Sequence, residues 1–369
     1  MIKLAKPVIS EAIIQEVAEI IRSGNLVQGP RVEQFEEALQ DYLDIENAVV
    51  VSSGTAALHL SLMALNIKHG DEVIVPAFTF PATANAVENT GAKPIFVDIS
   101  LADYCMDPAR IEEAVTERTK AIIVVHEFGQ AAELEWIVDV AKRRNLHLIE
   151  DAACAIGTRW KNRPVGTFGI LGCFSFHPRK VITTGEGGAI TTGDLSLAKR
   201  LRALRSHGLS VPGTLEFTDA GLNYRMTDFQ AVIGQGQLAR VEEEIEIRIQ
   251  QALRYRGHLS TCGRLRTPEV LENRRHIYQT FHVLLDDDLD RDQWIRRLRE
   301  EGVEAAVGAQ ALHILPFYKD RYGYGTSDFP QALRACRHGL ALPIGSHLHG
   351  DDIDSICERL LRIHSQMSY

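Results

Sequence analysis

Through the first two-thirds of the chain, short apolar and β-branched runs alternate with stretches of helical period. That alternation limits the fold more than any other feature of the sequence. Ala48–Val51, Glu72–Val75, Pro94–Val97, Ala121–Val125 and Leu146–Glu150 read as strands. Thr55–Leu65, the stretch near Ala82–Glu88 and Leu134–Arg144 read as helices between them. A strand–helix–strand rhythm sets successive strands parallel, and a parallel sheet needs cover on both faces. The expectation is therefore an α/β fold with a mainly parallel sheet between helices. Cys173–Phe176 and Ala189–Thr192 add two strands, joined through a turn at Gly185-Glu186-Gly187-Gly188.

Outside that region the pattern changes. Glu11–Gly24 and Arg31–Leu43 are helical and precede the first strand, suited to packing on a smaller domain or on a partner. Thr227 to about Tyr255 reads as one long helix carrying Glu242, Glu243, Glu244 and Glu246. Tyr278–Leu285 alternates as a strand, and Arg291–Glu301 and Asp351–Ile363 are helical. The chain is thus expected to divide into a large domain over residues 1–250 and a small α+β domain over residues 251–369.

Composition excludes several classes. With 45% hydrophobic and 24% charged residues the chain has ample apolar surface to bury, so disorder is excluded. Forty basic residues against 49 acidic ones give a net charge of -9, without the basic excess of a nucleic-acid binder. Met1–Pro7 opens without the apolar core of a signal peptide, and no apolar run approaches a membrane span. The six cysteines are scattered without a CxxC pair, which argues against a disulfide scaffold or a structural zinc site. A reducing cytoplasm is the expected compartment.

Three segments carry chemistry. Ser52-Ser53-Gly54-Thr55-Ala56-Ala57 joins a strand to a helix, and free amides, a glycine and hydroxyls at a helix start suit a phosphate; a capped helix start would look the same. Glu150-Asp151-Ala152-Ala153 ends a strand, where ligands of open α/β sheets sit, and a carboxylate there can meet a cation or simply cap the next turn. Phe174–Lys180 runs from a strand through His177 and Pro178 into a lysine beside the glycine-rich turn. A lysine held against a sheet can act as a nucleophile, whereas a lysine in an ordinary turn is solvated.

Together with Gly70–Val87, Gly129-Gln130, Gly221–Gln230, Leu312-His313, Pro316-Phe317-Tyr318 and Leu342-Pro343, these segments resemble, in order along the chain, the DegT/DnrJ/EryC1/StrS family of sugar aminotransferases. That resemblance implies the pyridoxal phosphate (PLP)-dependent transferase fold of type I, as in aspartate aminotransferase. It further implies transfer of an amino group from L-glutamate to a nucleotide-linked keto-deoxysugar in amino-sugar biosynthesis, by a homodimer with shared active sites. Lys180 takes the role of the lysine that bonds the cofactor aldehyde, and Asp151 pairs with the pyridine nitrogen. Gly54, Thr55 and Ser175 hold the 5′-phosphate, and Asn223 reaches it from the neighbouring subunit. Phe80 stacks on the pyridine ring or is plain core.

His177, Glu186 and His313 are candidate substrate contacts, with structural roles open for both histidines. Gly308–His313 leans toward enzymes that aminate C4 over C3. Lys161, Arg163 and Arg179 are open to a diphosphate or to solvent. The sequence departs from the family at Cys154, where Gln or Glu often approaches the cofactor 3′-oxygen. Two other readings are a PLP-dependent dehydratase or lyase and a non-catalytic regulatory protein on the same scaffold. Lys180 argues against the dehydratase branch, which has histidine there, and Asp151 with Lys180 argues against a non-catalytic protein.

Overall fold

The computed structural model describes residues 1–210, 215–260 and 262–367. Seven strands form its central sheet: β1 (Asn47–Val51), β2 (Glu72–Pro76), β3 (Lys93–Val97), β4 (Thr119–Val125), β5 (His147–Asp151), β6 (Leu171–Ser175) and β7 (Gly188–Thr192). Their spatial order is β1-β7-β6-β5-β4-β2-β3. The pairs from β6 through β3 are parallel, and β7 runs antiparallel to both β1 and β6. Alternate residues of β1 show how both faces are used. Ala48 and Val50 join the cluster around Phe35 and Leu39, while Val49 and Val51 join the one around Leu58 and Leu60. The carboxyl ends of the parallel strands all point to one edge, where an open α/β sheet binds its ligand.

The two leading helices pack on this body. Helix Glu11–Ser23 sets Ile13 against Gly236. Helix Pro30–Leu43 sets Phe35 against Gly234 and the ring of Phe176, with centroids 5.4 Å apart. The stretch from Thr227 to Tyr255 is two helices, Asp228–Leu238 and Val241–Leu259, rather than one. Arg240 leaves helical geometry between them, at φ -120° and ψ 12°. The acidic run Glu242–Glu244 therefore lies in a first turn, where the helix dipole favours negative charge.

Beyond it, β8 (Leu265–Arg266), β9 (Phe281–Leu285) and β10 (Gly339–Leu342) form a second, antiparallel sheet in the order β8-β9-β10. Strand β9 begins later than the alternation from Tyr278 suggests, because Tyr278 takes φ 49°, outside strand geometry. Tyr255, Phe281 and Trp294 centre the apolar cluster of this sheet, which includes residues of the last helix, Gly350–Met367. The start of the chain joins the same unit: Ile2 bridges to Val303, and the Leu4 amide donates to Glu304 across 300 residues. Among the described residues no helix is long and apolar enough to cross a membrane, and all six cysteines are free.

Candidate active site

Strand β5 ends in two carboxylates that its two-residue period sends to opposite faces. Glu150 is fully buried and braces the chain that leads into β6. Its oxygens accept from the amides of Phe168 (2.6 Å), Gly169 (2.7 Å) and Gly166 (2.8 Å), and His126 Nε2 lies 3.0 Å away. Glu150→Ala leaves three amides without their acceptor, and we expect a loss of about 3 kcal/mol or more in urea unfolding. Asp151 faces the other way. Its carboxylate accepts from the Thr83 hydroxyl at 2.8 Å and the Ala153 amide at 3.1 Å. Burial pushes the Asp151 carboxyl up, against the opposing pull of Thr83, Ala153, Lys180 and His126.

Lys180 comes to the same point from the loop after β6, where its amide closes a tight turn on the His177 carbonyl at 2.8 Å. Its ammonium donates to Cys154 Sγ at 3.0 Å. Desolvation pulls the amine down, but Cys154, Asp151 and Glu127 together outweigh it, and the net shift is upward. Sequence reasoning did not single out Glu127. It lies in the turn that follows β4, at the carboxyl edge of the sheet, and the available signal was an acidic residue two positions past a parallel strand. Glu127 is buried, and the Thr79 hydroxyl donates to its carboxylate.

A second feature is a narrow cradle beside β1 and β6. Ser53 Oγ accepts from the Ala56 amide at 3.0 Å and so caps helix Gly54–Ala64, leaving the first-turn amides of Gly54 and Thr55 at the helix mouth. A Cβ at Gly54 would meet Ser175 Cβ at 2.7 Å, and one at Gly188 would meet the Ser53 carbonyl oxygen at 2.5 Å. The strand bearing this turn is anchored by buried Glu36, which accepts from the Val50 amide at 3.0 Å and from Arg205 at 2.6 Å.

The remaining sequence-derived residues fall in different surroundings. Thr55, Glu186 and Asn223 are exposed in the single chain, as is Phe80, whose exposure is 71%. The Asn223 loop is tied to the cradle, since the Ser52 amide donates to the Tyr224 carbonyl at 2.8 Å. His177 is half-buried, and desolvation lowers its pKa. His313 is fully buried, edge-on to Phe329 with centroids 5.0 Å apart. Lys161 pairs with Glu135 at 2.6 Å, and Arg163 lies over the Phe168 ring. Lys180, Asp151, Cys154 and Glu127 thus converge, Gly54 and Ser175 meet in the cradle, and His313 shares no described contact with either group.

A buried carboxylate, an enclosed lysine and a capped helix start at the carboxyl edge of a parallel sheet match a known family. Residues 7–361 fit the model of the DegT/DnrJ/EryC1/StrS aminotransferase family. The chain belongs to that family. It is 40% identical to GDP-perosamine synthase of Caulobacter vibrioides, over 90% of each chain. It is 35% identical to UDP-4-amino-4-deoxy-L-arabinose–oxoglutarate aminotransferase of Shewanella sediminis, over 98% of this chain and 97% of the relative. Among solved structures, a Streptococcus pneumoniae protein described as a sugar aminotransferase, in its PLP form, superposes with a TM-score of 0.91 at 29% identity, over 96% of each chain. The protein is thus an aminotransferase of fold type I.

Its residues fit PLP. The cradle that a Cβ at Gly54 or Gly188 would fill suits a phosphate at a helix mouth. Buried Asp151 suits a protonated pyridine nitrogen, and Lys180 suits an aldehyde.

Proposed function

We propose that this aminotransferase moves an amino group from L-glutamate to a keto group of a nucleotide-diphosphate keto-deoxysugar, at C4 in preference to C3. The observation that carries the reading is the meeting of Lys180 with buried Asp151 at the carboxyl edge of the sheet. The named relatives support the nucleotide-sugar substrate, and the oxoglutarate in one of those names supports the glutamate pair. The 4-amino group in that same name and the Gly308–His313 stretch support C4.

PLP, when bound, supplies the electron sink that loosens the Cα proton of the donor amino acid. The chain's own residues do the rest. Asp151, held by Thr83 and Ala153, presents a fixed negative charge to the ring nitrogen. The Lys180 amine takes the proton from the donor Cα and later returns one to the acceptor. Gly54, Thr55 and Ser175 hold the phosphate, and Phe80 covers the ring. Asn223 reaches the phosphate of a partner subunit in a homodimer, which accounts for its exposure in the single chain.

The deciding experiment follows the visible spectrum of protein purified with PLP. L-glutamate is expected to collapse the visible band of the bound cofactor with release of one 2-oxoglutarate per site. A band unmoved by glutamate means another donor or other PLP chemistry, and no band at all rejects the cofactor. Gly54→Ala intrudes on Ser175, and we expect it to weaken PLP binding by about tenfold or more, a cost of about 1.4 kcal/mol, with the fold retained. Equilibrium dialysis of PLP reads this directly.

A further inference from the structure

We propose that the Nε–Nη2 edge of Arg248 binds the distal carboxylate of the amino donor, which makes Arg248 the residue that selects a dicarboxylic donor. The inference rests on the reading of L-glutamate as that donor.

Arg248 lies within helix Val241–Leu259, and only 6% of it is exposed. A buried arginine is normally paired with a carboxylate. This one is not. Its Nη1 makes two long contacts, 3.4 Å to the Tyr278 carbonyl and 3.3 Å to the Gln279 carbonyl. Its Nε is buried without a partner, and Nη2 donates to none of the described residues. Burial pulls the guanidinium down to about 10, and Glu244, one turn earlier, is the charge that opposes it. Glu244 forms no ion pair with Arg248 among the described residues, so the desolvation of this cation is left uncompensated.

The idle edge is the one suited to recognition. The Nε–H and the neighbouring Nη2–H are parallel, and together they form the fork that receives both oxygens of a carboxylate. The wall beside it is firmly built. Gln251, one turn further along the helix, donates to the Gly345 carbonyl at 3.0 Å and to the Leu348 carbonyl at 3.1 Å, and its oxygen accepts from the Gly345 amide at 2.8 Å. Gly345 takes φ 137°, and a Cβ there would meet Nη2 of Arg248 at 3.1 Å. Gln251 is thus fully engaged, whereas two of the three nitrogens of Arg248 are idle.

Arg248 and Lys180 line one cavity, together with Lys6, Arg240 and Glu244. Arg240 is already paired with Glu243 at 2.9 Å, but Lys6, like Arg248, has no ion pair among the described residues. Two unpaired cations then face one carboxylate, a balance that favours an anion. Gln279 ties the arginine to the lysine. Its carbonyl faces Arg248 Nη1, and its side-chain amide donates at 2.6 Å to the carbonyl of Arg179, the residue before Lys180. The Lys180 ammonium itself contacts Cys154, not Arg248. The carboxylate that Arg248 receives is therefore the one away from the reacting carbon, and L-glutamate carries such a group where L-alanine does not.

The test is isothermal titration of the PLP-loaded protein with glutarate, which has both carboxylates of the donor and no amino group. Wild type is expected to bind it. Arg248→Lys keeps the charge but loses the fork, and it is expected to bind about tenfold more weakly or worse. Equal affinity in the two proteins, or no binding by wild type, overturns the proposal. Acetate and inorganic phosphate, each added to wild type at the concentration of glutarate, need no variant. Displacement of glutarate by either means a site for small free anions only, which also overturns it. The visible spectrum gives the second readout. Arg248→Lys is expected to raise the half-saturating concentration of L-glutamate about tenfold or more and to leave the limiting rate within about threefold of wild type. A lowered limiting rate at unchanged half-saturation overturns the proposal. A wild-type band that L-glutamate leaves unmoved rejects that donor, while the glutarate titration still decides whether Arg248 holds a carboxylate.

Discussion

Lys180→Ala is expected to reduce turnover by about 10⁴-fold or more, the upper end of what a positioned acid–base group supplies, because on the proposed function the same amine also bonds the cofactor. Single-turnover release of 2-oxoglutarate from L-glutamate measures it without interference from product release. Folding is expected to survive. The substitution leaves Asp151 and Glu127 without the cation that faces them, but Glu127 then carries a proton at neutral pH, so only one buried charge remains. Lys180→Arg is the informative companion. It restores a cation beside both carboxylates, yet a guanidinium stays protonated and cannot act as a base. Turnover is expected to remain as low as in Lys180→Ala. A variant of either kind that keeps turnover within tenfold of wild type removes Lys180 from the reaction.

Asp151→Asn is expected to cost about 10²–10³-fold in turnover, the usual loss when a fixed electrostatic group is removed from a buried site. The substitution keeps the shape of the side chain: its one oxygen can accept from the Ala153 amide while the Thr83 hydroxyl turns to accept from the new NH2, so stability should stay close to wild type. Asp151→Ala should show the same kinetic loss with added instability, because the Thr83 hydroxyl and the Ala153 amide lose their acceptor. Urea unfolding beside steady-state kinetics separates the two effects. Equal activity in Asp151→Asn and wild type would show that the negative charge at this position does not matter.

The strand–helix rhythm was enough to read the central sheet, because parallel strands buried on both faces leave an unbroken apolar signature such as Ala121–Val125. It did not reveal the break between Leu238 and Val241. Helical period continues across that point, and only the φ of -120° at Arg240 interrupts it. Nor did pattern distinguish Glu150 from Asp151. Both end one strand, and the difference comes from three amides of the 166–169 loop that gather on Glu150. Lys180, Asp151 and Gly54 could be singled out as candidates because each lies in a local motif. Glu127 was not, since its meaning depends on groups from separate parts of the chain, Thr79, Asp151, Cys154 and Lys180, that meet only in the folded protein. The turn that carries it is held by His282 and Gly308, more than a hundred residues further on.

The pairing of Ile2 with Val303 and of Leu4 with Glu304 sets a schedule for biosynthesis. At a ribosomal pace of about 5–20 residues per second, the leading residues wait about 15–60 s for their partners to be made. The parallel sheet, complete by Thr192, can assemble in that interval, whereas the antiparallel sheet cannot close before Gly339–Leu342 emerges. The turn clamped by His282 is therefore finished only after Gly339–Leu342 has been made. A nascent chain can thus hold most of its large sheet well before the turn that carries Glu127 is clamped.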